Sequence, residues 1–141
     1  MADHDPPDEI PPDCIVYRAI RVVDIKEDRT PKSCAFTDLA DADGSKDYMS
    51  VNVSDEMAAA GKTLEDLKKH WGDRYEIFQF AAQDLVTNGE RLWRDPDDDF
   101  VGHGACKRND NGKRSLAQKR TLARLAKPAN ESGAPAGGDP Q

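Results

Sequence analysis

Hydrophobic residues along this chain fall into short runs, some with the alternation of a strand and others with the period of a helix. Helical periodicity follows the capping residues Thr63 and Ser115 and predicts helices that end near Gly72 and Ala126. Strands and helices do not alternate regularly, so the pattern predicts an α+β domain rather than a parallel α/β fold. We expect a mixed or antiparallel sheet of about four to six short strands with two to three helices. The predicted strands lie within Cys14–Ile25, Ser33–Thr37, Tyr48–Val53, Arg74–Ala82, Arg91–Arg94 and Phe100–Arg108.

The two ends of the chain lack this patterning. Residues 1–13 contain four prolines and five acids around a single isoleucine, and residues 128–141 are mainly Pro, Gly, Ala, Ser and Asn. Neither segment offers enough apolar surface to offset the entropy lost on ordering. We therefore predict a disordered acidic arm at 1–13, one domain at 14–127 and a disordered tail at 128–141.

Composition limits the class of protein. The chain has 141 residues, of which 37% are hydrophobic and 33% are charged, as expected for one domain with a modest core. No apolar run approaches the ~18 residues of a transmembrane helix, so no membrane partner is expected. The acidic N-terminus lacks the apolar core of a secretory signal, which predicts a cytoplasmic protein whose cysteines are thiols.

Charge is distributed unevenly. The net charge is −7, yet residues 107–127 carry eight Lys or Arg residues and one acid. A helix predicted at 115–126 places an apolar side against a basic side. The acidic remainder of the chain would repel a nucleic acid, and no aromatic residue lies among these bases to stack on nucleotides, so we predict a protein or other anionic partner. The residues predicted to bind it are Arg114, Lys119, Arg120 and Arg124.

A second interpretation is a small enzyme or a ligand-binding domain. Arg18 lies inside a predicted strand, where its guanidinium needs an anion, water or a neighbouring acid. Ser50 lies in another strand, and His103 stands between two glycines with an imidazole suited to acid–base chemistry. This hypothesis requires all three side chains to converge on one pocket, whereas an ordinary structural role for each remains open.

The order of residues in the first strands resembles the layout of the ADP-ribosyltransferases. Tyr17 and Arg18 lie on the first strand, and a Ser-x-Ala-Phe sequence begins at Ser33. In that family a basic residue and a Ser or Thr hold a dinucleotide, and a later Glu activates the ribose. The resemblance implies that Arg18 and Ser33 hold the dinucleotide, with Glu90 standing in for the glutamate outside any recognisable late-strand motif.

The sequence does not predict a metal site. The donor types of Cys14, Cys34, His103 and Cys106 suit zinc, but the chain has no Cys-x-x-Cys, and single thiols in apolar strands are usually buried as small hydrophobes. The sequence also lacks a Gly-x-Gly-x-x-Gly and a Walker A motif. We therefore predict no metal and no cofactor, and whether the protein is an enzyme stays open.

Overall fold

A computed structural model describes residues 9–36, 48–95, 100–110 and 112–129. It contains a six-stranded sheet of order β4-β5-β2-β1-β3-β6, in which every pairing is antiparallel. This confirms the predicted α+β fold. The strands are β1 (Ile15–Arg21), β2 (Met49–Val53), β3 (Tyr75–Ala81), β4 (Glu90–Arg94), β5 (His103–Arg108) and β6 (Lys127–Pro128). The α-helices are α1 (Ser54–Ala59), α2 (Leu64–Trp71), α3 (Ala82–Thr87) and α4 (Leu116–Leu125).

Residues of β1 alternate between the two faces of the sheet. Val16 packs with Phe78 in the larger cluster of buried hydrophobic residues, whereas Tyr17 packs with Ile77 in the smaller one. Residues paired across adjacent strands share a face, because side chains alternate along every strand. We call the face that carries Val16 the major face and the face that carries Tyr17 the minor face.

Helices α3 and α4 and a 3₁₀ turn at Ser33–Phe36 supply the other half of the major core. Leu85 of α3 and Leu122 of α4 are buried there, and Phe36 meets Phe80 edge to face at 6.0 Å. Burying an aliphatic or aromatic side chain of this size contributes about 1.5–3 kcal/mol. This packing fixes one side of α4 against the domain.

Helices α1 and α2 lie on the minor face, where α1 contacts β1 and β2 and α2 contacts β3. Met57 and Leu67 are the buried residues through which they pack. The predicted cap of α2 is confirmed, since Thr63 and Asp66 form a reciprocal capping box, and the helix ends at Gly72, whose φ is 88°. None of the described helices is long and apolar enough to cross a bilayer.

Terminal residues cover both edges of the sheet. Ile10 is only 4% exposed, and its amide donates to the carbonyl of Leu92 at 3.3 Å, next to a bridge between Glu9 and Trp93. Residues 9–13 therefore belong to the domain, although the sequence analysis placed them in the arm. At the other edge β6 pairs with β3, where the sequence analysis began the tail at 128. Residues 1–8 and 130–141 lie outside the described residues.

The segment Ser33–Phe36 forms a 3₁₀ turn, so the prediction of a strand there is wrong. Ala35 and Phe36 are consecutive and both buried, which a strand with alternating faces does not allow. The turn is closed by a hydrogen bond of 3.0 Å from the Ala35 amide to the Lys32 carbonyl. Strand β1 is also shorter than predicted and ends at Arg21, where a second 3₁₀ turn begins.

Candidate functional site

Arg114 lies just before α4 and its side chain is 1% exposed. Its guanidinium contacts the Glu90 carboxylate twice, at 2.6 Å from Nη2 to Oε1 and 3.1 Å from Nε to Oε2. It also donates to the carbonyl oxygens of Phe36 at 3.3 Å and Cys106 at 3.1 Å. Arg114 was predicted to face a partner, but its burial removes it from the surface. Its contacts instead tie the start of α4 to β4, β5 and the 3₁₀ turn.

Glu90 is the centre of what we call the buried charge cluster, formed by Glu90, Arg108, Arg114 and Cys106. The Glu90 side chain is 0% exposed, and Arg108 Nη1 donates to its Oε2 at 3.2 Å. The Cys106 thiol donates to Oε1 at 3.2 Å, and burial together with the charge of Glu90 raises the pKa of this thiol. A buried carboxylate persists only when it is paired and hydrogen-bonded. The cluster is therefore a structural one.

Of the remaining predicted binding residues, Arg120 and Arg124 form what we call the α4 basic face, since both are exposed and lie one helical turn apart. Lys119 is half-buried and lies on the side of α4 that carries Leu122. Leu122, on the side of α4 opposite to the basic face, is buried in the major core. Arg124 donates to the Thr121 hydroxyl at 3.2 Å, within the same helix. The core thus holds α4 so that its basic face points outward.

Arg18, the first predicted catalytic residue, bonds to the backbone. Pairing between β1 and β2 covers Val16 and Tyr17, and the Arg18 side chain follows where this pairing stops. Its Nη1 donates to the Ser50 carbonyl at 2.8 Å and its Nη2 donates to the Ala35 carbonyl at 2.9 Å. Arg18 therefore donates to two backbone carbonyls, one on β2 and one in the 3₁₀ turn, which is a structural role.

Ser50 and His103, the other two predicted catalytic residues, are hydrogen-bonded to each other. The distance from Ser50 Oγ to His103 Nε2 is 3.2 Å. On the other side of the ring, His103 Nδ1 lies 2.6 Å from the backbone oxygen of Asp95 and 3.6 Å from its carboxylate Oδ2. The Tyr48 hydroxyl donates to the same carboxylate. We call Ser50, His103 and Asp95 the serine–histidine set.

Arg18 and His103 lie on opposite faces of the sheet. Arg18 is paired with Phe78 and so belongs to the major face. His103 is paired with Asn52, and Asn52 is paired with Tyr17, so His103 belongs to the minor face. Ser50 meets both residues, but it offers its backbone carbonyl to Arg18 and its hydroxyl to His103. The predicted single pocket of Arg18, Ser50 and His103 is therefore not formed, although two of the three residues come together.

Asp95 is not among the candidate site residues that the sequence predicts. It stands eight positions before His103, which in turn is 53 positions after Ser50. Neither spacing corresponds to a turn of helix or to a short motif. Only the pairing of β2 with β5 and of β4 with β5 brings these three residues together.

The residues that carry the resemblance to ADP-ribosyltransferases lie in other settings. Ser33 is in the 3₁₀ turn rather than on a strand, and Glu90 is enclosed in the buried charge cluster. Arg18 gives its donors to backbone carbonyls. Of the side chains to which the resemblance assigns a role, Arg18 and Glu90 are thus engaged in hydrogen bonds and ion pairs within the domain.

The three cysteines are free thiols in different settings. The Cys14 thiol donates to Asp55 at 3.0 Å, and burial and this carboxylate raise the pKa of Cys14 to about 12. Cys34 is exposed, and Cys106 belongs to the major face, opposite His103. Across residues 9–36, 48–95, 100–110 and 112–129, no group of three or more His, Cys, Asp or Glu side chains is placed to hold a metal ion.

Two sites thus stand out, the α4 basic face and the serine–histidine set. Their chemistry has to be judged from the side chains themselves. In comparisons with protein families, with characterised proteins and with solved structures, nothing matched this chain.

Proposed function

We propose that this protein binds an acidic segment of a partner protein through the α4 basic face. The observation that carries the proposal is the exposure of Arg120 and Arg124, one turn apart, on a helix whose other side is buried in the core. A basic surface on a chain of net charge −7 attracts an anionic partner to one place on the molecule. Arg114 is not part of this surface, and its role is to hold α4 in position.

A protein is favoured over a nucleic acid for two reasons. The strongly acidic remainder of the chain repels a polyanion that extends beyond α4, and no aromatic side chain on α4 is available for base stacking. Leu116 lies one turn before Arg120 and is 51% exposed. An apolar residue beside arginines suits the centre of a protein interface, where charge at the rim guides the approach.

The test uses a fluorescein-labelled poly-glutamate peptide, with binding followed by fluorescence anisotropy at low salt. Arg120→Glu/Arg124→Glu should weaken binding by at least about tenfold, because two attractive charges become repulsive. Lys68→Glu/Lys69→Glu is the matched control, since both lysines are exposed on α2. Added salt above ~0.15 M should weaken the wild-type complex by screening.

Two results would contradict the proposal. Equal losses in the two double variants would mean that the peptide senses only net charge. Tighter binding of a single-stranded oligonucleotide than of the peptide, with the same dependence on Arg120 and Arg124, would identify a nucleic-acid surface instead.

A further inference from the structure

The serine–histidine set has the hydrogen-bond directions that a serine nucleophile needs. The Asp95 backbone oxygen can only accept a hydrogen bond, so the contact of 2.6 Å requires the proton of the neutral His103 ring to be on Nδ1. The Nε2 lone pair then points at the Ser50 hydroxyl, 3.2 Å away, and accepts its proton. This is the tautomer in which a histidine acts as a general base toward a serine.

The Asp95 carboxylate lies next to the His103 ring. Asp95 Oδ2 is 3.6 Å from His103 Nδ1, and the Tyr48 hydroxyl donates to that carboxylate. This carboxylate therefore lies beside the ring nitrogen opposite the one that takes the serine proton. Backbone pairing adds rigidity, since the Asp95 amide donates to the His103 carbonyl at 3.0 Å. Asp95 thus orients the histidine through its backbone and faces it with its charge.

Asn52 supplies an amide on the same face. It lies two residues after Ser50 on β2 and is the register partner of His103. Its side chain makes no hydrogen bond with any residue that the structure describes, although the residue is only 6% exposed. An amide N–H group on this face can donate a hydrogen bond to an oxygen of a bound molecule. The Asn52 N–H group is suited to donate to an oxygen that becomes negative next to Ser50.

The surroundings restrict the size of a substrate. Ala105, the register partner of Ser50, has a single methyl group as its side chain and is fully buried. The rings of Tyr48 and Trp93 meet edge to face at 5.7 Å, and the Tyr48 ring centre is 6.3 Å from that of His103. These aromatic rings form an apolar boundary that suits a short acyl group rather than a charged one.

We propose that the serine–histidine set is an acyl-transfer site for small esters, with Ser50 as nucleophile and His103 as general base. Ser50 Oγ bonds to the acyl carbon while its proton passes to His103 Nε2. The bond between the acyl carbon and the leaving alcohol then breaks, and the alcohol takes the proton from Nε2. Water adds to the acyl–Ser50 ester by the same route, which releases a carboxylic acid and restores the serine. No oxidant or reductant is required, and the site is independent of the α4 basic face.

The experiment uses two probes on the full chain. A fluorophosphonate should add once to the wild-type protein, with loss of fluoride and formation of a P–O bond, and peptide mass mapping should place the adduct on Ser50. Hydrolysis of p-nitrophenyl acetate should be abolished in Ser50→Ala and reduced by at least about a hundredfold in His103→Gln. Asn52→Ala should lower kcat by about 10²–10³-fold with little change in KM if its amide stabilises the oxyanion.

Ser33→Ala is the matched control and should behave as the wild type, because this serine lies in the 3₁₀ turn on the major side of the sheet. Mapping is done on the wild-type protein, so the outcome does not depend on whether a variant folds. Absence of an adduct, or an adduct at any residue other than Ser50, would overturn the proposal. Retention of hydrolysis by a folded Ser50→Ala would do the same.

Discussion

Replacing Arg114 with methionine tests the physical account of the buried charge cluster. Methionine has a similar length and no donor, so Arg114→Met leaves Glu90, at 0% exposure, with Arg108 as its remaining arginine. Removing one partner of a buried ion pair costs about 3–5 kcal/mol, because the other charge stays buried and less well compensated. The carbonyls of Phe36 and Cys106 also lose a donor. Folded proteins typically have a free energy of unfolding of about 5–15 kcal/mol, so this single change should remove a large part of it.

Urea unfolding followed by tryptophan fluorescence measures this loss. Arg124→Met is the control, because the same chemical change at an exposed position of the same segment should alter stability by no more than about 0.5 kcal/mol. Arg114→Met/Glu90→Leu should recover much of the loss, since it removes the uncompensated carboxylate. If Arg114→Met and Arg124→Met unfold at the same urea concentration, the reasoning from burial and pairing is refuted.

Two further predictions concern the thiols and the helix caps. The pKa of Cys14 is raised from 9.0 to about 12 in the folded protein, so above pH 9 the thiol ionises more readily in the unfolded chain. The contribution of this thiol to the free energy of unfolding is therefore fully present below pH 9 and is lost as pH rises toward 12, with a slope approaching about 1.4 kcal/mol per pH unit. Urea midpoints under reducing conditions should therefore fall less steeply above pH 9 in Cys14→Ser than in the wild type, and parallel profiles would contradict this. Thr63→Ala should lower the free energy of unfolding by about 1 kcal/mol, because it removes the cap of α2. The control is Thr87→Ala, which should leave the urea midpoint nearly unchanged because Thr87 is exposed and does not cap α2. Equal midpoints for the two threonine variants would show that the capping box adds nothing.

Local patterns predicted the features that depend on neighbours in the chain. The capping boxes at Thr63 and Ser115 are present, because a cap is made between residues three positions apart. Alternation of apolar residues located β1, β2 and β3, and the irregular order of strands and helices identified the α+β class. The segment at Ser33–Phe36 is too short for this signal, and there the prediction of a strand was wrong.

Burial of a charged side chain could not be predicted from the same patterns. Arg114 was grouped with Arg120 and Arg124 because all three share a basic segment, yet its partner Glu90 lies 24 positions away. Which arginine is buried depends on where a carboxylate is placed by another strand. A single sequence contains the charge of each residue but not the distance between charges.

The amino-acid sequence by itself determined the class of fold, the extent of the main helices, the uneven distribution of charge and the nomination of Ser50 and His103. The tertiary structure alone decided that these two residues meet, that Asp95 completes their set and that Arg18 lies on the opposite face. The physical reason is strand register, because moving a strand by one residue exchanges its two faces. Register is set by packing between strands far apart in the chain, here β2 and β5, and no local pattern contains it.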